Sequence, residues 1–380
     1  MNLNNVLTRN YVKWTLGERE KNEAKTKPNK ANLKKAKMSL TLYITRAYEN
    51  KWRFQTIESK PNSKPIKPNF KTRLFWAFTF LCSIYNLAMQ CWTIQKLLKW
   101  ITDFFTQKQL DSPRLSAEIL LSFVLRTKRI ELYTKFDTPV GKKELDELHK
   151  LVKRAGEGEP IQYLTGRTEF YSLELEVNPD CLIPRPETEL LVERAIEFLR
   201  TRKGQQNVCD LCTGCGCIAI AIAKNFPSAD IIATDISDAA LSIAQKNVEK
   251  HRLAKRIKLL RGDLFEPLIP QLDVEKFDLI ACNPPYVSAA EFEKLEKTVK
   301  DYEPKDALFA GEDGLDIYRR IAEKAPDFLK PGAALMLEVG YREGQQVKDL
   351  LDKTECFSRI KIEKDRHDND RIVTAIKTSS

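Results

Sequence analysis

The sequence predicts an α/β fold: an open, mostly parallel sheet with helices on both faces, preceded by a small helical domain. Three observations predict it. From residue 207 onward, short apolar runs alternate with amphipathic helical stretches, the pattern of parallel strands joined by crossover helices. Residues 94–156 carry helical periodicity instead. Several of the later apolar runs stop at acids, glycines or paired prolines, and ligands of open α/β sheets lie outside the carboxyl ends of the strands.

At 380 residues the chain is long enough for two domains. Its net charge of +10 is unevenly placed: residues 1–88 hold 18 Lys and Arg against 5 Glu and no Asp, a net of +13, which leaves −3 for the rest. The basicity therefore belongs to an N-terminal extension, and the body offers no strong phosphate-binding surface. Residues 61–69 (PNSKPIKPN) read as an unstructured linker. Residues 74–89 form an apolar run too short for a spanning helix, which wants about 20 residues. It reads as a weak anchor, part of a targeting segment, or no folded element. Because Met89 resembles a natural start, residues 1–88 are read as a disordered extension, upstream of the functional protein and with no firm membrane partner. The nine cysteines lack the pattern of a small secreted scaffold and point to a reducing compartment. The expected location is cytoplasmic, or organellar if the extension is a targeting segment.

The helical domain is expected over residues 89–165. Ile94, Leu97, Leu98 and Ile101 fall on one helical face. Ser112 before Pro113 reads as an N-cap and first-turn pair. A third helix over 142–155 ends at Gly156. So small a bundle is expected to have little core of its own and to serve substrate recognition. Residues 166–186 read as a hairpin and linker, and Pro186 with Glu187 and Glu189 as a helix opening. The catalytic domain, 187–380, has strands expected at 208–211, 230–234, 257–261, 277–282, 333–339 and near 357–362 and 371–376.

Three strand ends suit one ligand. The first reads Asp210-Leu-Cys212-Thr213-Gly214-Cys215-Gly216 and runs into a helix, so Gly214 and Gly216 admit a ligand close to the backbone. The second ends at Asp235, whose carboxylate can take two ribose hydroxyls. At the third, Asp263 or the N–H of Leu264 can hold an adenine edge. Ala219 breaks the full GxGxxG pattern of a pyrophosphate cradle, so an adenosyl ligand without phosphates fits, namely S-adenosyl-L-methionine. Cys209, Cys212, Cys215 and Cys217 tempt one toward a metal. They straddle a strand end and a glycine turn, and no second CxxC or nearby His completes a site; no metal is expected, and the thiols read as small packing residues.

The fourth strand end carries the chemistry. Pro284 and Pro285 forbid ladder pairing and fix a stiff extended corner. There the Asn283 amide, the Pro284 carbonyl and the Tyr286 ring can grip a planar NH2 group, two acceptors on its hydrogens and a ring on its face.

With these residues in view, the chain resembles the PrmC/HemK family over about residues 89–376. The resemblance rests on Gly158-Glu-Pro-Ile-Gln-Tyr-Leu-Thr-Gly166, Glu169-Phe170, Leu182-Ile-Pro-Arg185-Pro-Glu187-Thr-Glu189, the 210–216 turn, Asp235, Asn283-Pro284-Pro285-Tyr286, Tyr302-Glu-Pro304 and Asp313-Gly-Leu-Asp316. It implies a class I S-adenosylmethionine-dependent methyltransferase, with a seven-stranded sheet, that methylates the glutamine side-chain amide in the GGQ motif of peptide-chain release factors. It also implies that the 184–189 segment, with Arg185 and Glu187, borders the cofactor pocket, that Asn283 reaches the cofactor as well, and that residues 283–286 hold the glutamine amide. Cys212 stands where the family usually has Gly, which tightens the turn, and segment 365–371 lacks the usual Gly. NPPY alone is shared with enzymes that methylate adenine or cytosine amino groups. That alternative lacks a basic body and a target-recognition domain here; a non-catalytic binding module sits poorly with an intact NPPY. A monomer acting on a release factor, with no direct nucleic-acid partner, is expected.

Overall fold

In a computed structural model, residues 91–271 and 276–379 are described; the basic extension and the apolar run at 74–89 lie outside these residues. The described chain opens with helices α1 (Ile94–Gln107), α2 (Pro113–Val124), α3 (Arg129–Thr134), α4 (Lys142–Gly156) and α5 (Ile161–Thr165). The Thr93 hydroxyl caps α1 by accepting from the Lys96 N–H, and the stripe Ile94, Leu97, Leu98, Ile101 and Phe105 is buried. Two expectations fail here. Ser112 takes a left-handed conformation at φ 48° and makes no side-chain cap bond, although Pro113 does open α2. The helices also build a core of their own, joining α1, α2, α4 and α5 through Leu98, Phe105, Leu121, Leu148 and Leu164. The short α3 and α5 complete that core, adding Leu132 and Leu164, and neither is long enough to show a period in sequence.

A hairpin follows, β1 (Arg167–Phe170) with β2 (Leu173–Glu176), and then α6 (Thr188–Arg200). That helix starts two residues beyond Pro186, with Glu187 at its N-cap. The remaining chain winds β3 (Gln206–Leu211), α7 (Cys217–Asn225), β4 (Ala229–Asp235), α8 (Asp238–Lys250), β5 (Ile257–Arg261) and β6 (Phe277–Cys282). After the short turns α9 (Ala289–Phe292) and α10 (Lys297–Lys300) come α11 (Asp316–Phe328), β7 (Leu329–Glu338), α12 (Gly344–Asp352), β8 (Phe357–Lys364) and β9 (Asp370–Lys377).

The seven strands lie in the order β5-β4-β3-β6-β7-β9-β8. The five from β5 to β7 are parallel, and β9 joins β7 and β8 antiparallel. Alternate strand residues feed the two faces, as the period of two requires. Val208, Leu279 and Ala281 pack under α6, α7 and α8. Cys209, Ile280 and Cys282 pack under α11 and α12. Chain order reverses between β3 and β6, which places a crevice at the carboxyl ends of those two strands. The hairpin is tied to the sheet by Asn247 of α8, which is fully buried. Its amide pairs with both backbone groups of Glu176, at 2.7 and 2.9 Å, and also donates to the Cys215 carbonyl at 2.9 Å. Among the described residues no helix is long and apolar enough to cross a membrane.

Candidate active site

In the sheet register Leu211 sits beside Thr234 on one side and Cys282 on the other. Cys212, Asp235 and Asn283 therefore leave the sheet in one row. The topology thus brings together the glycine turn, the second-strand acid and the NPPY corner.

The turn is held from below by Asp210, whose side chain is fully buried. One oxygen accepts from the Thr213 hydroxyl at 2.5 Å and the Ala219 N–H at 3.1 Å, while the other has no partner. Burial pushes this carboxyl up to about 7. Gly214 has φ 55°, and a Cβ there would meet nothing within 4 Å, so the turn faces open space. Gly216 serves packing: its Cβ would come to 3.4 Å from that of Ala244 on α8. Cys215 is buried. Cys212 adopts φ 56°, a backbone region that favours glycine. Cys209 and Cys212 belong to one face of the sheet, Cys215 and Cys217 to the other. Among the described residues no group of His, Cys, Asp or Glu could hold a metal ion.

Asp235 borders the open side of the turn. One of its oxygens accepts from the Gly214 N–H at 2.8 Å, the other from the Ser237 N–H at 2.9 Å, and desolvation raises its pKa. The next residue, Ile236, is 59% exposed beside that carboxylate. At the third strand end Asp263 is ion-paired at 2.7 Å with Arg320 of α11. Leu264 is buried and accepts the Thr234 hydroxyl on its carbonyl at 3.2 Å.

At the NPPY corner, Asn283 and Tyr286 are half-buried and Pro284 is buried. The Asn283 Nδ2 donates to the Thr188 hydroxyl at 3.2 Å. Beyond Pro285 the chain is fixed by Val287, which pairs with Leu308 and Ala310 through backbone bonds of 2.8 and 2.9 Å. Tyr286 is lodged tightly: a Cβ on Gly314, at φ 80°, would lie 2.5 Å from the Tyr286 carbonyl, and one on Gly340 would touch its ring at 3.4 Å. Burial lifts the Tyr286 phenol to about 12.

The 185–189 segment joins these parts. Arg185 pairs at 2.7 Å with the buried Glu303, Thr188 meets Asn283, and Glu189 accepts the Tyr171 N–H of the hairpin turn at 2.8 Å. Glu187 is exposed and lines, with Pro186, Lys364 and His367, a groove of about 540 Å³. Sequence reasoning placed Thr188 only within the segment bordering the cofactor pocket and Glu303 only within a motif of the resemblance, and it assigned no part to Arg320, Glu338 or Glu343. Glu338 and Glu343 stand behind Tyr286, and burial raises both carboxyls to about 7. A Glu closing the apolar run Ala333-Ala-Leu-Met-Leu337 was the available signal, since Glu is almost never fully buried without a reason.

Residues 96–166 match the PrmC N-terminal domain, and residues 187–300 the methyltransferase small domain. The release factor glutamine methyltransferase of Rhodopirellula baltica is 41% identical over 289 residues, covering 75% of this chain and 97% of that protein. Its namesake in Geobacter sulfurreducens is 41% identical over 272 residues (71% and 93%), and that of Bacillus subtilis 36% identical over 287 (75% and 98%). A crystal structure of the protein-(glutamine-N5) methyltransferase (release factor-specific) from Alicyclobacillus acidocaldarius, 31% identical, aligns with a TM-score of 0.35 over 54% of this chain and 99% of that one.

Proposed function

Since the chain belongs to the release factor glutamine methyltransferase family, we propose that it methylates the side-chain amide nitrogen (N5) of the GGQ glutamine in peptide-chain release factors, supporting translation termination. Its cofactor is S-adenosyl-L-methionine. The residues present fit that group. Gly214 faces open space, Asp235 keeps a second lone pair on each oxygen for ribose hydroxyls, and exposed Ile236 offers an apolar surface to a flat base. Asp263, the backbone at Leu264, Arg185 and Glu187 complete the border, while Asp210, Cys212, Thr213, Cys215 and Gly216 shape the turn. Bound there, the cofactor supplies an electrophilic methyl group on a cationic sulfur.

The protein's own contribution is to make a poor nucleophile presentable. An amide nitrogen shares its lone pair with the carbonyl. The Asn283 Oδ1 and the Pro284 carbonyl accept its two hydrogens, which raises electron density on nitrogen and favours pyramidal geometry as the new bond forms. Pro285 stiffens the corner and the Tyr286 ring covers the amide face. Holding the nitrogen in line contributes on the order of 7–11 kcal/mol of barrier reduction. The extra proton leaves to water after transfer, so no general base is needed. The observation that carries the reading is the tether of the Asn283 Nδ2 to Thr188, because it leaves the acceptor Oδ1 as the free end of that amide. The enzyme acts as a monomer in the cytoplasm, or in an organelle if residues 1–88 direct it there.

The test is transfer of labelled methyl to a release factor, beside the same factor with its GGQ glutamine changed to alanine, with DNA and RNA in parallel. Label on the unaltered factor alone is the expected result. Label on nucleic acid and none on protein overturns the reading.

A further inference from the structure

One buried acid behind the site has no part in the chemistry above. Glu338 ends β7, is 1% exposed, and neither carboxylate oxygen has a hydrogen-bond partner. A carboxylate stranded in this way is costly, and such groups call for an explanation. Helix α6 packs on β7 and brings Thr188, also 1% exposed, to the same place. The Thr188 hydroxyl stands close enough to lower the carboxyl's pKa against the larger rise from burial, but in this structure it does not complete a hydrogen bond to either oxygen. Turning its hydrogen onto Glu338 would give the stranded carboxylate a donor. Thr188 in turn accepts from the Asn283 Nδ2 at 3.2 Å.

A hydroxyl has one hydrogen to give. If Thr188 gives it to Glu338, its oxygen can only accept from Asn283. The amide then has a single allowed orientation, Nδ2 toward Thr188 and Oδ1 toward the cleft. We propose that Glu338 and Thr188 are positioning residues that set the hydrogen-bond polarity of Asn283, so that the cleft is presented with an acceptor. This rests on the function proposed above and adds to it two residues, remote from the substrate, that determine which group the clamp accepts.

When Glu338 is protonated it becomes a donor itself. Thr188 is then free to donate to Asn283, and the flipped amide turns an NH2 toward the cleft, where it repels an incoming NH2 group. Turnover should therefore rise as Glu338 ionises. The other charged and titratable groups facing Glu338 are Arg371 on β9, Arg185 and Glu187 ahead of α6, and Tyr286. Glu343 and Tyr318 lie close by, the latter donating its hydroxyl to the Glu338 backbone carbonyl at 2.7 Å. Arg371 and Arg185 favour the ionised form and Glu187 opposes it.

The experiment compares the full chain with its Thr188→Val, Thr188→Ser and Glu338→Gln variants. It measures kcat and KM for release-factor methylation across pH, and the Asn283 side-chain amide resonances in ¹⁵N-labelled protein. Thr188→Val should lower kcat roughly tenfold, the worth of one hydrogen bond, with cofactor affinity unchanged, and Thr188→Ser should restore it. Glu338→Gln should lower kcat and abolish its rise near neutral pH, because a carboxamide donates as readily as it accepts. A Thr188→Val enzyme at full rate, or an unchanged pH profile in Glu338→Gln, overturns the inference. Should Glu338→Gln fail to fold, the Thr188 pair decides. Should the unaltered chain leave release factors unlabelled, the proposed function fails instead. The Asn283 resonances then judge the tether alone: unmoved by Thr188→Val, they overturn it, and shifted, they sustain it.

Discussion

At Asn283 two demands meet in one side chain, since its amide is bonded to Thr188 on one side and available to the cleft on the other. Replacing it removes an acceptor that matters most as charge develops. Asn283→Ala is expected to lose on the order of a hundredfold in kcat while binding S-adenosylmethionine within a few-fold of the unaltered chain, measured by calorimetry beside methyl transfer. Near-normal turnover would rule out the amide clamp. Cys212 allows a test of a different kind. Its φ of 56° imposes a steric cost of roughly 1–2 kcal/mol on a residue with a Cβ, partly offset by the larger unfolded-state entropy of glycine. Cys212→Gly should therefore stabilise the fold by up to about 1 kcal/mol in urea unfolding. The sequence alone marked Cys212 as the unusual residue of the turn, but only the backbone reveals why. The link between Thr188 and Glu338 was illegible for another reason: the two lie 150 residues apart, and its meaning comes from Asn283, which is bonded to Thr188.

The elements read well wherever a long apolar period met clear punctuation. The strands from β3 to β6 fall within two residues of their expected places, because each is a short apolar-rich run that stops at or shortly before an acid, a glycine turn or a proline. Misplacements came at element starts: β7 begins at Leu329, four residues ahead of its expected start, and two helix starts were misread. Pro186 looked like a first-turn proline, yet α6 begins at Thr188; Arg185, just ahead of that proline, is held by Glu303, and Glu187, just after it, is exposed. Ser112 failed as a cap because its backbone is left-handed, which a residue type does not announce. The loop before α11 carries its own prediction. Gly314 backs the NPPY corner so closely that Gly314→Ala would press on the Tyr286 carbonyl and the Glu343 carboxylate. A loss of about 1–3 kcal/mol in stability is expected, together with slower methyl transfer from a displaced Tyr286. A variant as stable and as fast as the unaltered chain would show that the loop yields freely.

Across the molecule, among the described residues, the buried carboxylates Asp210, Glu338 and Glu343 are each raised to about 7 by desolvation. A carboxyl binds its proton more tightly in the folded state when its pKa is raised there. Its contribution to stability is therefore complete below about pH 4 and lost as pH climbs through 7. Asp365 is held down at about 2 by its hydrogen bonds to Asn369, His367 and Arg371, and its opposite contribution disappears only in strong acid. Urea unfolding should thus show the protein less stable at pH 8 than at pH 5.5. Asp210→Asn should reduce that difference by on the order of 1 kcal/mol; an undiminished difference would mean that Asp210 ionises freely in the fold. The layout of the sheet was legible from strand–helix alternation, but the joint between the sheet and the hairpin was not, since it is made by side chains lying beyond the hairpin in sequence: the buried Asn247 amide, Lys250 and His251 against Glu174, and Glu189 against the Tyr171 N–H. Asn247 answers the Glu176 backbone as a neighbouring strand would, while holding the Cys215 carbonyl of the glycine turn. A front end transplanted from another chain would reach this joint as a foreign plug. Unless its hairpin offered a matching N–H and carbonyl, it would leave a buried amide unanswered and loosen the turn that Asn247 braces. For chimaera builders, the seam to respect is thus a socket in the last turn of α8, some 70 residues downstream of where a linker would ordinarily be cut.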